Sequence, residues 1–83
     1  MNQIHIQDIK SIDNLVKELI IARERSVLGD YQESFKLFEV IQKKIQYQIS
    51  INVSDQVMYD RWSRFLNEIE DEIKMVSEMT QLS

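Results

Sequence analysis

The stretch Leu28–Val40, LGDYQESFKLFEV, holds the only glycine of a chain that has no proline and no cysteine. Apolar residues recur at helical spacing on both sides of it. Gly29 can take the left-handed conformation that closes one helix, and the Asp30 carboxylate can accept backbone hydrogens that open the next. Asp30 and Glu33 also stand at capping-box spacing, with Asp in place of Ser or Thr. The pair predicts a tight corner between two helices rather than a loop.

Before that corner, Ile12, Leu15, Val16, Leu19, Ala22, Arg23 and Ser26 fall on one helical face, with Ser11 or Asp8 available as a cap, so a first helix is expected over about 11–28. The small residues Ala22 and Ser26 near its end suit close approach of a neighbour. After the corner, Tyr31, Ser34, Phe35, Phe38, Ile41, Ile45 and Ile49 form the inner face of a second helix over about 31–49. Its outer face carries Lys36, Val40, Lys43, Lys44 and Tyr47. The β-branched, polar stretch SINVS at 50–54 reads as the second loop. Ser54 or Asp55 then caps a third helix over about 55–80, whose stripe is Met58, Trp62, Phe65, Leu66, Ile69, Ile73 and Val76. Three amphipathic segments with short connections bury their stripes together as an all-α, antiparallel three-helix bundle, one domain spanning 1–83 with residues 1–10 as an N-terminal extension.

Composition narrows the possible functions. At 83 residues the chain suits a single modest core, short of the size that would comfortably hold an active-site cavity. The absence of cysteine rules out disulfides and thiolate metal sites, and with His5 the single histidine a zinc site would have to be built almost wholly from carboxylates, so neither cofactor nor metal is expected. No basic leader or membrane-length apolar run is present, which points to a cytoplasmic protein with no membrane partner. The formal net charge is −4. Basic and acidic residues balance up to Ser54, and the excess falls beyond it, where Arg61, Arg64 and Lys74 face seven carboxylates. A nucleic-acid binder would not carry its charge this way. No glycine-rich phosphate loop and no positioned imidazole suggest catalysis.

The run IARERSVLGDYQESFKLFEVIQKKI followed, after a polar loop, by SDQVMYDRWSRFLNEI resembles the N-terminal domain of the catalytic subunit of katanin, the microtubule-severing AAA ATPase, over roughly residues 15–79. That domain is of the MIT (microtubule interacting and trafficking) class of three-helix bundles. Ala22-Arg23-Glu24, the run from Leu28-Gly29 through Tyr31, and the placement of Trp62 carry the resemblance. It implies a non-catalytic docking domain of a larger enzyme whose ATPase lies elsewhere. Its expected partners are the C-terminal domain of the katanin regulatory subunit and microtubules, with a location on the cytoskeleton at spindle poles or basal bodies. The alternative is an MIT trafficking adaptor that captures short helical tail motifs.

Candidate docking residues lie on two surfaces. On the third helix, Glu68 and Glu72 share a flank with Met75 and Met79; a solvated acidic face is the plain alternative, and Glu70 stands at ion-pair spacing before Lys74. In other MIT domains a third-helix carboxylate of this kind meets a basic residue of a bound peptide. On the first helix, Ile21 and Leu28 lie opposite the main stripe, where they either pack at the corner or form an apolar docking strip. For microtubule contact the candidates are Lys74 and the outer lysines Lys36, Lys43 and Lys44. The acidity around Lys74 opposes binding to acidic tubulin, so weak binding by the isolated domain is expected.

Overall fold

The computed structural model describes residues 10–82, so all of the N-terminal extension but Lys10, including His5 and the candidate cap Asp8, lies outside the described residues. Three helices follow one another: α1 from Leu15–Val27, α2 from Tyr31–Ile51 and α3 from Gln56–Leu82. No strand occurs among the described residues. The molecule is elongated, 44 × 26 × 17 Å, because α3 is twice the length of α1.

The corner forms as its glycine suggests. Gly29 has φ +83°, its N–H donates to the Ser26 carbonyl at 3.2 Å, and the Asp30 N–H donates to the Arg25 carbonyl at 2.8 Å. This pair of bonds is a Schellman closure, which satisfies two of the carbonyls that a helix end leaves open. The capping box does not form. Asp30 is the N-cap of α2 but makes no side-chain cap hydrogen bond. Its carboxylate lies 3.9 Å from Arg25, and Glu33 instead pairs with Lys36 at 3.3 Å. Two nearby cations have drawn both carboxylates outward, away from the backbone.

At the other end, α1 starts at Leu15 instead of near residue 11. Asn14 occupies the left-handed region at φ 67°, and the Ser11 hydroxyl accepts from the Asp13 N–H at 3.1 Å, so the chain turns locally there. The second loop is shorter than the polar stretch suggests, since α2 continues through Ser50 and Ile51. Asn52 Nδ2 donates to the Gln48 carbonyl at 2.7 Å, extending helical bonding past the last turn. Asp55, rather than Ser54, caps α3, its carboxylate accepting from the Met58 N–H at 3.2 Å.

The core consists of Leu15, Leu19 and Ala22 from α1, Phe38, Ile41 and Ile45 from α2, and Ile69 and Val76 from α3. Tyr31, Phe35, Ile49, Trp62, Phe65, Leu66 and Ile73 pack against it as half-buried side chains. Trp62 thus sits with the core that contains Phe38, its ring centroid 6.2 Å from that of Phe65, although its buried Nε1 finds no hydrogen-bond partner. Ala22 and the buried Ser34 let α1 and α2 approach closely enough for Ser34 Oγ to donate to the Ala22 carbonyl at 2.8 Å.

The packing departs in two respects from what the spacing suggests. Val16, expected in the core, is 72% exposed, and Ile12 is also exposed. Lys44, expected on the outer face of α2, is buried, where its ammonium pairs with Glu18 of α1. Both follow from the way the helices meet. The central helix α2 packs along α1 and along α3, but no comparable backbone contact joins α1 to α3. The flank of α1 toward α2 is buried wide enough to take in Glu18 and Lys44, and the flank toward α3 stays open.

Candidate functional site

The open flank of α1 lies toward α3, and one ion pair bridges the two helices there. Arg23 of α1 donates from Nε and Nη2 to the two carboxylate oxygens of Glu72 on α3, at 2.6 and 2.9 Å. This bidentate pair ties the two helices together. These hydrogen bonds raise the Arg23 pKa above its ordinary value against the opposing effect of burial, and the charges of Glu72 and Glu68 add to the rise. Glu68 therefore lies near enough to Arg23 to act on it.

Helical spacing from those residues identifies the faces that carry them. On α1, Val16, Ile20 and Val27 stand seven, three and four residues from Arg23 and so share its face. All three are exposed. On α3, Arg61, Glu68, Glu72, Met75 and Met79 recur at spacings of seven, four, three and four; Met75 is 60% exposed and Met79 is also open to solvent. The α1 face is aliphatic, and the α3 face grades from arginine through glutamate to methionine.

The four α3 residues singled out from sequence, Glu68, Glu72, Met75 and Met79, thus share one face of the helix. Leu28, also singled out, is 74% exposed and joins Ile20 and Val27 in lining a shallow depression beside Arg23 and Glu24. Ile21 is half-buried and borders a second depression with Ile12, Val16 and Ile20. Sequence reasoning missed Ile20 and Val27 and placed Val16 in the core. The available signal was the doubled stripe of α1, which has more apolar residues than one helix neighbour can cover.

The basic candidates separate. Lys36 is held by Glu33 and Lys43 by Glu39 at 3.1 Å. Lys44, in its buried pair with Glu18, cannot reach a partner surface. Lys74 is exposed and forms no ion pair with Glu70, and none with any other group among the described residues. No group of carboxylates or histidines among the described residues could hold a metal ion, and no described helix is long and apolar enough to cross a membrane.

Three helices, the central one packed along both others and the outer two tied by an ion pair, have the architecture of the MIT class of three-helix bundles. The family model described as Katanin p60 subunit A1, MIT domain, matches residues 12–79, and the chain belongs to that family. No curated protein and no solved structure gives a significant match.

Proposed function

We propose that this domain is the docking part of a katanin-like microtubule-severing ATPase, and that it seats the C-terminal domain of the katanin regulatory subunit in the groove between α1 and α3. Membership of the katanin MIT family supports the partner. The observation that carries the site is the set of exposed aliphatic and methionine side chains, Val16, Ile20, Val27, Met75 and Met79, left uncovered where α1 and α3 do not pack together. Flexible methionines facing branched aliphatics suit a helical partner. In this reading the domain contributes targeting and local concentration on microtubules, and force comes from the ATPase.

The trafficking-adaptor alternative is less well supported. Of the two third-helix carboxylates that would read a basic residue, Glu72 is already engaged by Arg23, which leaves Glu68 alone. Titration calorimetry against the regulatory subunit's C-terminal domain tests the proposal. Ile20→Ala and Met75→Ala should each weaken binding about tenfold while leaving the melting temperature of the free domain nearly unchanged, because both side chains are already solvated. Unchanged affinity in both variants would move the interface away from this groove.

A further inference from the structure

Two shallow depressions lie along the exposed side of α1. Val16, Lys17 and Ile20 help to line the first and Ile20, Val27 and Leu28 the second, and both include Ile20 and Glu24, so they join end to end along one helix. Val16, Ile20 and Val27 form the exposed apolar strip between them. Lys17 and Glu24 stand seven residues apart on the flank of this strip that faces away from Arg23. Both are exposed, and neither forms an ion pair among the described residues. On the other flank, the charge of Arg23 is already met by Glu72.

The free cation sits toward one end of the strip and the free anion toward the other, which makes the strip its own complement when turned end for end. If a second copy lays its α1 antiparallel on this one, with Val16 of each copy opposite Val27 of the other, the two Ile20 side chains meet at the two-fold axis. Lys17 of each copy then lies two residues, about 3 Å of helical rise, from direct opposition to Glu24 of the other. Two ion pairs form on one side of the seam, as charged residues flanking a coiled-coil seam do. Parallel pairing would instead set lysine against lysine and glutamate against glutamate, which opposes association.

We propose that this domain pairs with a second copy of itself through α1, antiparallel and about a two-fold axis, with Val16, Ile20 and Val27 as the seam and reciprocal Lys17–Glu24 ion pairs setting its direction. The contact follows a helix of 13 residues, about 20 Å long, and so buries less than the roughly 1,200 Å² of a standard interface. Pairing is therefore reversible, with a Kd of about 10–100 µM. Under the docking reading above, the regulatory domain uses the same three apolar side chains, so a second copy covers the strip until that partner displaces it.

The 83-residue chain alone tests pairing by sedimentation equilibrium at low salt. It should pass from monomer to dimer across about 1–500 µM. Lys17→Glu and Glu24→Lys, made separately, each place two like-charged pairs across the seam and should weaken the dimer about tenfold. Mixing these two variants in equal amounts should restore it, since every pair between unlike copies is again opposite in sign. Val16→Asp should abolish pairing, and melts of all three variants should stay near that of the parent because these side chains are already solvated. The chain has no cysteine, so Val16→Cys and Val27→Cys proteins, mixed and oxidised, report direction: disulfides between unlike variants should dominate. A monomer at every concentration, a dimer indifferent to both charge reversals, no recovery in the mixture, or a preference for disulfides between like variants would overturn the proposal. These measurements contain no regulatory domain, so their failure leaves docking standing, and a failed titration with that domain leaves pairing standing.

Discussion

Replacing Lys44 by methionine, with Glu18 left in place, removes one member of the ion pair that lies between α1 and α2. The Lys44 side chain is 7% exposed and that of Glu18 is 19% exposed, so the remaining carboxylate would be left largely out of water with no cation beside it. Breaking a fully buried pair costs about 3–5 kcal/mol, and the partial access of Glu18 places this case near the lower bound, about 3 kcal/mol. A domain of this size has roughly 4–12 kcal/mol in total, so about a quarter to three quarters of its margin is at stake. The melting temperature should fall by roughly 12–24 °C. Removing both charges should behave quite differently. Lys44→Met combined with Glu18→Leu leaves no orphaned charge and adds apolar contact, so its stability should return to within about 1 kcal/mol of the parent or exceed it. Urea unfolding followed by circular dichroism on the parent, both single variants and the double variant gives the coupling directly. A Lys44→Met cost below about 1 kcal/mol, with a double variant that merely sums the single losses, would refute the claim that this pair is held away from water.

Gly29→Ala should destabilise by about 1 kcal/mol through backbone strain alone, since the added methyl would meet nothing within 4 Å but must accept φ +83°; a thermal melt checks this. Phe38→Ala, at a fully buried position in the middle of α2, should cost about 3–5 kcal/mol and leave the domain marginal by the same measurement. Trp62→Phe should cost less than about 1.5 kcal/mol in urea unfolding, because losing contact area is offset by removing a buried N–H that has no acceptor. Co-sedimentation with microtubules should show weak binding by the isolated domain that falls steeply with salt. Two of its four candidate lysines are paired on the surface and a third is buried; saturable, salt-resistant binding would contradict this.

Local signals in the sequence were enough for the helices and their order. A lone glycine in a chain without proline, followed by an Asp, can mean little except a helix closure and restart, and the structure has the Schellman bonds there. The single inner stripe of α2 was legible because α2 touches both neighbours and its periodicity is clean: Ser34, Phe38, Ile41 and Ile45 are all buried. Caps were read less well. Asp30 had two competing partners, the backbone of α2 and Arg25, and proximity across the corner decided between them.

Periodicity could not say which flank of a doubly apolar helix is covered, because spacing along one chain gives the angle between side chains but not the position of the neighbouring helix. Val16 and Leu15 differ by one residue in sequence, yet one is solvated and the other buried. Lys44 illustrates the converse, since a lysine on an apparent outer face enters the interior only if a carboxylate on another helix arrives to meet it. The amino-acid order therefore determined three helices, their corners and most of the core, all of which depend on short-range backbone chemistry and local amphipathicity. The packing of α2 against both partners, with α1 and α3 left apart and clasped by Arg23 and Glu72, was decided only in three dimensions, because groove width depends on how whole helices pack and not on any stretch of chain.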